Sequence, residues 1–512
     1  MTSQPRLLVF RADADTRTGA GHIMRGLALA QEWQSHGGEV VFVGHISGAP
    51  LREWIKSEGF KLFAIDSPYP DLQDLTTFLP WLHERQGTPG WVVLDGYHFD
   101  TNYHQALRAA GWPLLIIDDY GNLPAYHADI IVNPNAYADK IHYHTQDQTL
   151  ILGGARFAML RKEFKQALDN KNPTANERVS QKKFHILVTM GGSDPDNITQ
   201  KTIDAIHFMG RSDLAIKIIV GPLNPHRHSL ESNLRNATSD AEILAPVTDM
   251  ATLMRWADLA FSAAGSTCWE LAALGVPVVT TILATNQERV ATSLATRGVA
   301  VNLGWHHAWQ VNHAAQILTN LLNDPQKRQS MRNKGQQLID GQGCKRLTRS
   351  LQGYHFSLRR ASENDCQLVF HWANDQITRS ASFSPKPIPW QEHCRWFADQ
   401  LADKDLLFYI AITPDKTPMA QARFNLTGHD KATISVSLAP EFRNSGLGTR
   451  LIRLTCNQAI KERNIRTIRA LVKHDNPASL HAFASAGFHH RGTVEISGQH
   501  AVAMDYTLEG AA

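Results

Sequence analysis

Twice within its first 350 residues the chain repeats one pattern, in which short apolar runs of strand length alternate with stretches of helical spacing. Arg6–Arg11 (RLLVFR), Glu39–Val43, Trp91–Asp95, Leu114–Asp118 and Ile130–Asn133 form the first series. Phe184–Met190, Ala215–Val220, Glu242–Ala245, Asp258–Ser262, Pro277–Ile282 and Val299–Leu303 form the second. Continuous apolar runs suit strands covered on both faces, and strands that alternate with helices build parallel sheets. Two Rossmann-like α/β domains are therefore expected, over residues 1–168 and 183–350, joined by the polar stretch Asp169–Lys183 (DNKNPTANERVSQKK). Sheets of this kind bind ligands at the carboxyl ends of their strands. After Gly353 the character changes: alternating strands at Leu406–Ile412, Met419–Phe424, Ala432–Leu438 and Thr467–Val472 predict a separate antiparallel α+β domain over 354–512.

Composition narrows the partners. The 51 basic and 48 acidic residues leave a net charge of only +3, which gives no general attraction to nucleic acid or to an anionic membrane. The five cysteines, Cys268, Cys344, Cys366, Cys394 and Cys456, are odd in number and lack any C-x-x-C spacing, as expected of reduced thiols rather than a zinc site or disulfide framework. A cytoplasmic location follows as an expectation. No signal-peptide pattern opens the chain, and its most apolar long stretch, Leu259–Leu283, is cut by Gly265, Ser266, Glu270, Gly275 and Pro277. Oligomeric state is not legible.

Three strand ends carry chemistry. Gly19–Ala30 (GAGHIMRGLALA) follows the first strand as a glycine turn with one histidine opening a helix. Glycines there let backbone approach a ligand, and the free N–H groups of the helix favour an anion, with His22 placed as a base. The second series has two such places: Met190–Asp194 (MGGSD), with Gly191, Gly192 and Ser193, and Ser262–Val279 (SAAGSTCWELAALGVPVV), with Gly265, Ser266 and Thr267. Glu270, one turn into the latter helix, could accept hydrogen bonds from ribose hydroxyls; Ser266 and Glu270 could equally form an ordinary capping box. Asp118 and Asp119 end another strand and read equally as site residues or as a solvated pair.

The segment RADADTRTGAGHIMRGLALAQ resembles the start of the UDP-sugar hydrolases of bacterial pseudaminic acid synthesis, which release UDP from a 2,4-diacetamido-2,4,6-trideoxy-altrose. Its Arg11–Ala14 run and its Gly19, Gly21, His22 and Arg25 match the pattern of that family; so do Asp95–Tyr97 (DGY) and the pair Asn286 and Gln287. The Ser262–Val279 helix is similar to that of the peptidoglycan N-acetylglucosaminyltransferases. These resemblances imply a glycosyltransferase-B-like pair of domains, with UDP held by Gly191, Gly192, Ser193, Gly265, Ser266, Thr267 and Glu270. They imply His22 as general base, with inversion at the anomeric carbon, and Tyr97 and Asn286 as positioning groups. UDP is a good leaving group, so one base for water suffices where a glycosidase needs two carboxylates. Imidazole, with an ordinary pKa of about 6.5, takes a proton near neutral pH. No Asp-x-Asp pair stands where a metal-bridged diphosphate would need it, so no metal is predicted.

Val436–Arg450 (VSLAPEFRNSGLGTR) resembles motif A of the GCN5-related N-acetyltransferases, with Arg443, Gly446 and Gly448 in its R-x-x-G-x-G positions. Asn476 follows in HDNPASLHAFASAGF at the family's spacing to Gly487 and Phe488. The resemblance implies acetyl-CoA as co-substrate, bound by Leu438, Arg443, Asn444, Ser445, Gly446, Leu447, Gly448, Thr449 and Asn476. Phe483 stands where many relatives carry a tyrosine that protonates the leaving thiolate, which leaves the general acid and base open. The two resemblances together imply one enzyme that N-acetylates a UDP-4-amino sugar and then hydrolyses UDP from the product. The front half could instead be a glycosyltransferase, or a nucleotide-sugar sensor attached to the acetyltransferase.

Overall fold

The structure, a computed structural model, describes residues 6–15, 18–146, 148–170, 183–221, 224–235, 240–244, 247 and 249–508. Most of the expected linker, residues 171–182, and Ala245 of the expected strand Glu242–Ala245 lie outside the described residues. The chain divides into two compact units, Met1–Lys345 and Arg346–Ala512.

The first unit holds two parallel sheets. β1 (Leu7–Ala12), β2 (Glu39–Gly44), β3 (Lys61–Ala64), β4 (Gly90–Asp95), β5 (Leu114–Ile117), β6 (Ile130–Asn133) and β7 (Leu150–Gly153) stand in the order β3-β2-β1-β4-β5-β6-β7. β8 (Phe184–Thr189), β9 (Leu214–Ile219), β10 (Asp240–Leu244), β11 (Leu259–Ala263), β12 (Val278–Ile282) and β13 (Ala300–Trp305) stand in the order β10-β9-β8-β11-β12-β13. The expectation of parallel-sheet α/β architecture in this part of the chain therefore holds. Every residue of β1 and β11 is buried, which is why these strands read as unbroken apolar runs. In each sheet the order reverses beside the first strand, between β1 and β4 and between β8 and β11. There the chain leaves neighbouring strands in opposite directions and opens a crevice at their carboxyl ends.

Arg11 and Asp13, two residues of the motif-like Arg11–Ala14 run, serve this scaffold. Arg11 is fully buried, pairs with Asp13 and Asp74, donates to the Tyr103 hydroxyl at 3.0 Å, and lies 4.8 Å from the Phe99 ring centroid. A buried guanidinium requires such a set of partners. His98 adds a 2.7 Å contact from Nε2 to Asp13, and together these groups hold the Asp13 carboxyl well below its ordinary range despite burial.

The second unit is a seven-stranded sheet in the order β14 (Ser357–Arg360), β15 (Leu406–Ile412), β16 (Pro418–Leu426), β17 (Lys431–Leu438), β18 (Thr467–Lys473), β20 (Gln499–Thr507) and β19 (His489–Ile496). All its pairs are antiparallel except β17 with β18. That parallel pair is joined by the crossover helix Leu447–Arg463. All five cysteines are free thiols. Among the described residues no helix is long and apolar enough to cross a membrane.

Candidate active site

The two switch points of the first unit face one cleft of about 500 Å³. From the first sheet it is lined by the loop Thr18–Gly21 with His22 and Arg25, by Tyr97 and Asp119, and by Asn135 and Tyr137. From the second sheet come Met190–Asp194, Ala264–Thr267 and Ala284 with Asn286. The glycine loops nearly touch: a Cβ on Gly192 would lie 3.6 Å from the Ala20 backbone nitrogen.

Three helices begin at this cleft: Gly21–Ser35, Thr267–Leu274 and Thr285–Thr296. None has a side-chain hydrogen bond at its N-cap, whether Ala20, Ser266 or Ala284. The N–H groups of Cys268, Trp269 and Gln287 turn back to backbone carbonyls, so what these starts offer an anion is the N–H groups ahead of them, such as that of Thr267, and the positive ends of their dipoles. The capping-box alternative for Ser266 and Glu270 is not realised. A fourth start, Ile198–Phe208, is satisfied internally: the buried Asp194 carboxylate accepts from the backbone N–H groups of Ile198 at 2.8 Å and Thr199 at 3.0 Å.

His22 is buried except toward the cleft, with Nδ1 2.7 Å from Oδ1 of Asp95. Asp95 ends β4 with no solvent exposure and also receives Arg25, whose other nitrogen reaches Asp119 at 3.1 Å. Burial opposes the charge on Asp95, but Arg25 and His22 outweigh it and hold the carboxyl at about 2. The Asp95 carboxylate beside Nδ1 favours a proton there, the tautomer that leaves the Nε2 lone pair as the acceptor, and Nη2 of Arg25 lies 3.2 Å from the same Nδ1.

Tyr97 stands 4.9 Å from the imidazole, ring centroid to centroid, and its hydroxyl donates to Asp119 at 2.7 Å. Asp119 also accepts from Asn135 at 2.6 Å. Burial and the Asp119 charge push the Tyr97 phenol far up, so it keeps its proton and offers the cleft only lone pairs. Asn286 lines the same cleft as Tyr97, and its buried Oδ1 has no partner among the described residues.

The structure thus brings together His22, Tyr97, Asn286, Gly191, Gly192, Ser193, Gly265, Ser266 and Thr267. Glu270 is placed differently. It is not among the cleft-lining residues, and one carboxylate oxygen lies 3.3 Å from the buried Arg161. Gln287 lines the cleft beside Asn286, with its Oε1 accepting from the Leu283 backbone N–H at 2.9 Å. Asp118 and Asp119 are not a solvated pair, because Asp118 accepts from the backbone of Tyr120 and Gly121 while Asp119 is buried in the cleft network. Sequence reasoning assigned no role to Arg25, although its place three residues after His22 puts both on one helix face.

In the second unit the expected acetyl-CoA residues gather where β17 and β18 part. Their pairing ends at Ile434 with Ala470, so Ser435–Leu438 continue without β18. The loop after Leu438 passes through left-handed Asn444 (φ 60°) and Gly446 (φ 78°), and delivers the uncapped start of the helix Leu447–Arg463, with Gly448 and Thr449 in its first turn. Backbone N–H groups there suit a diphosphate.

Several side chains in this set do other work. Arg443 donates to Asp375 at 2.6 Å and to Thr378 at 2.9 Å, bracing the short helix Gln376–Ala381. The Ser445 hydroxyl is bonded to the Phe442 carbonyl, and Leu447 is core. Asn476 caps the helix Pro477–Ser485 by accepting from Ser479 at 3.1 Å. For these four, only backbone or residual polar groups remain for a ligand. Phe483 is buried against Phe488, ring centroids 4.9 Å apart. Among the described residues no three His, Cys, Asp or Glu side chains are grouped as a metal-ligand set.

Residues 355–489 match the acetyltransferase (GNAT) domain family. The last part of the chain is a GNAT acetyltransferase domain. Residues 176–343, ahead of this GNAT domain, match the glycosyltransferase family 28 C-terminal domain. Over 93% of its length the chain is 22% identical to an uncharacterized Methanocaldococcus jannaschii protein, of which it covers 95%. It is 24% identical to the UDP-2,4-diacetamido-2,4,6-trideoxy-β-L-altropyranose hydrolase of Campylobacter jejuni, over 57% of this chain and 98% of that one. A solved spermidine N-acetyltransferase from Vibrio cholerae, in complex with CoA and spermine, aligns with 30% of this chain and 95% of its own at 18% identity, with a TM-score of 0.28. A hydrolase-like front part and a GNAT acetyltransferase domain are fused in one chain.

Proposed function

We propose that the chain is a bifunctional enzyme of pseudaminic acid synthesis. Its GNAT domain acetylates the 4-amino group of a UDP-linked 4-amino-4,6-dideoxy-N-acetyl-altrosamine, and its front part removes UDP from the diacetamido product. The observation that carries the hydrolytic half is that the His22–Asp95 pair and three uncapped helix starts line the same cleft.

The UDP diphosphate lies against those helix starts and the Met190–Asp194 loop. Nε2 of His22 takes a proton from water as its oxygen bonds to the anomeric carbon. The bond from that carbon to the phosphate oxygen breaks, and its electron pair leaves with UDP. Asp95 stabilises the imidazolium, while Tyr97 and Asn286 orient the sugar or the water. Charge that develops on the leaving diphosphate meets N–H groups already in place, so no reorganisation is needed at the moment of reaction. Glu270 contacts the ribose in this scheme only if it shares its carboxylate with Arg161. Acetyl-CoA lies with its pyrophosphate at Gly446–Thr449 and its acetyl group in the gap between β17 and β18.

Hydrolysis in ¹⁸O-labelled water tests the scheme. Label is expected on the anomeric oxygen of the sugar; label in UDP means attack at phosphorus and overturns it. The match to a glycosyltransferase C-terminal domain favours one rival for the front part, transfer to an acceptor other than water. Stoichiometric UDP release with no acceptor present excludes that rival. Binding without turnover would instead indicate a sensor.

A further inference from the structure

The sheet of the GNAT domain carries a polar strip that the acetyl-CoA loop does not use. On β16, Gln421 and Arg423 alternate with Ala422 and Phe424, which enter the core. Cross-strand pairing places Phe408 and Ser435 on either side of Arg423, and Ile410 and Ser437 on either side of Gln421. The helix Trp390–Ala402 borders the strip, contributing Trp396 and Gln400.

Arg423 is the unusual member. Its guanidinium lies 4.8 Å from the Trp396 ring centroid and 5.8 Å from that of Phe408. Among the described residues its polar contacts are two long ones of 3.4 Å, to Gln400 and to the Ser435 hydroxyl. No carboxylate among the described residues pairs with it, and burial alone draws it down to about 10. Arg359, Arg443 and Arg469 of the same domain pair with Asp365, Asp375 and Asp505, and Arg379, which also lacks an acid among the described residues, is bonded to the backbone carbonyls of Ala373 and Ser384 instead. A half-buried, aromatic-flanked cation without a counter-charge is costly unless an anion comes to it. Two positions nearer the acetyl-CoA loop, Gln421 is 8% exposed, donates to Ser437 at 3.0 Å, and its buried Oε1 has no partner among the described residues.

We infer that this strip is the acceptor site of the acetyltransferase and that it selects an amine bearing a phosphate, with the amine at Gln421 and the phosphate on Arg423. Two residues along a strand span about 7 Å, comparable to the reach across a pyranose from an amino group on the far carbon to a phosphate on the anomeric oxygen. The inference rests on the reading of this domain as an N-acetyltransferase of sugar nucleotides, and it makes the anionic part of the acceptor the feature recognised.

The test uses the full chain and follows thiol release from acetyl-CoA. Acceptors are the UDP-4-amino sugar, glucosamine 1-phosphate, glucosamine and spermidine. Wild-type protein should prefer the phosphorylated amines, and inorganic pyrophosphate should compete with them. Arg423→Gln should raise their KM by roughly 10- to 100-fold, erase the advantage over glucosamine, and leave the KM for acetyl-CoA unchanged. Arg423→Lys should recover part of the loss. If Arg423→Gln does not fold, the Lys variant and the pyrophosphate competition decide the matter. A preference for spermidine, an unchanged KM in Arg423→Gln, or no competition by pyrophosphate overturns the inference. Preference for glucosamine 1-phosphate with rejection of the UDP-4-amino sugar would support the anion site while removing the proposed substrate.

Discussion

Nδ1 of His22 and Oδ1 of Asp95 are 2.7 Å apart across 73 residues of sequence, one at the start of the first helix and the other at the end of β4. This contact joins the two strands that flank the switch point of the first sheet. In the proposed mechanism it sets which nitrogen of the imidazole faces the cleft, so Asp95 is expected to act on hydrolysis without touching substrate. Asp95→Asn should lower the hydrolytic kcat by about 10²- to 10⁴-fold with UDP affinity little changed. Steady-state kinetics set against calorimetric UDP binding check this, and an equal loss in both would mean that the site had collapsed.

The same carboxylate contributes stability with a defined sign. Its folded value, about 2, lies below the ordinary carboxyl value, so its contribution is full above about 4 and is lost as pH falls through about 2. The difference in urea midpoint between wild type and Asp95→Asn should therefore be largest near neutral pH and shrink in acid. A difference that grows on acidification would contradict the assignment.

His22→Ala removes the proposed base but not the helix starts that face the diphosphate. Hydrolysis should fall by roughly 10²- to 10⁴-fold, with acetyl transfer by the same preparation unchanged as a control for folding. Tyr97→Phe removes a lone pair rather than a base, so its loss should be smaller, about 10- to 100-fold. Near-normal hydrolysis by the His22 variant would sink the mechanism.

What could be read in the sequence followed from local chemistry. The buried strands and the glycine turns at their ends announce both sheets and the cleft, because apolar runs and positive-φ turns are local requirements. β3 and β7 were not anticipated: each is a four-residue edge strand, partly exposed, whose apolar run (Leu62–Ile65, Leu150–Leu152) is too short to stand out. β19 is largely exposed and alternates weakly, which hid its hairpin with β20. Side-chain direction was the other limit. Arg443 sits in the loop motif, but its guanidinium is claimed by Asp375, and Glu270 sits one turn into the nucleotide helix but meets Arg161; both partners are remote in sequence. Asp119 shared the strand end of Asp118 and became distinguishable only once Arg25, Tyr97 and Asn135 had converged on it.

The motif glycines separate strain from ligand approach. Gly446 has φ 78°, a conformation unfavourable for a β-branched residue, so Gly446→Val should distort the loop as well as abolish acetyl transfer. A Cβ on Gly448 would find its nearest neighbours at 3.8 Å, Ala482 and Leu438, which is ordinary contact. Gly448→Ala should thus keep wild-type melting behaviour while raising the KM for acetyl-CoA, since the added methyl stands at the helix start offered to the pyrophosphate. An unchanged KM would remove Gly448 from the site.

The last prediction concerns where the acetyltransferase begins. The helix Gly343–Gly353 runs into the second unit, which starts at Arg346. In the chain Leu347 and Leu351 are buried; within that unit the Ser350 hydroxyl donates to the Ser445 carbonyl at 2.7 Å, and Arg450 donates to the Tyr354 carbonyl at 2.9 Å. Ser445 belongs to the loop proposed to hold acetyl-CoA, so this helix braces that loop. A fragment of residues 346–512 should fold and acetylate with the KM for acetyl-CoA of the full chain. One starting at Tyr354 loses two buried leucines and the Ser350 bond, a cost of several kcal/mol; it should melt earlier and bind acetyl-CoA more weakly. Thermal melts and acetyl-CoA titrations of the two fragments check this, and equal behaviour would place the boundary at Tyr354.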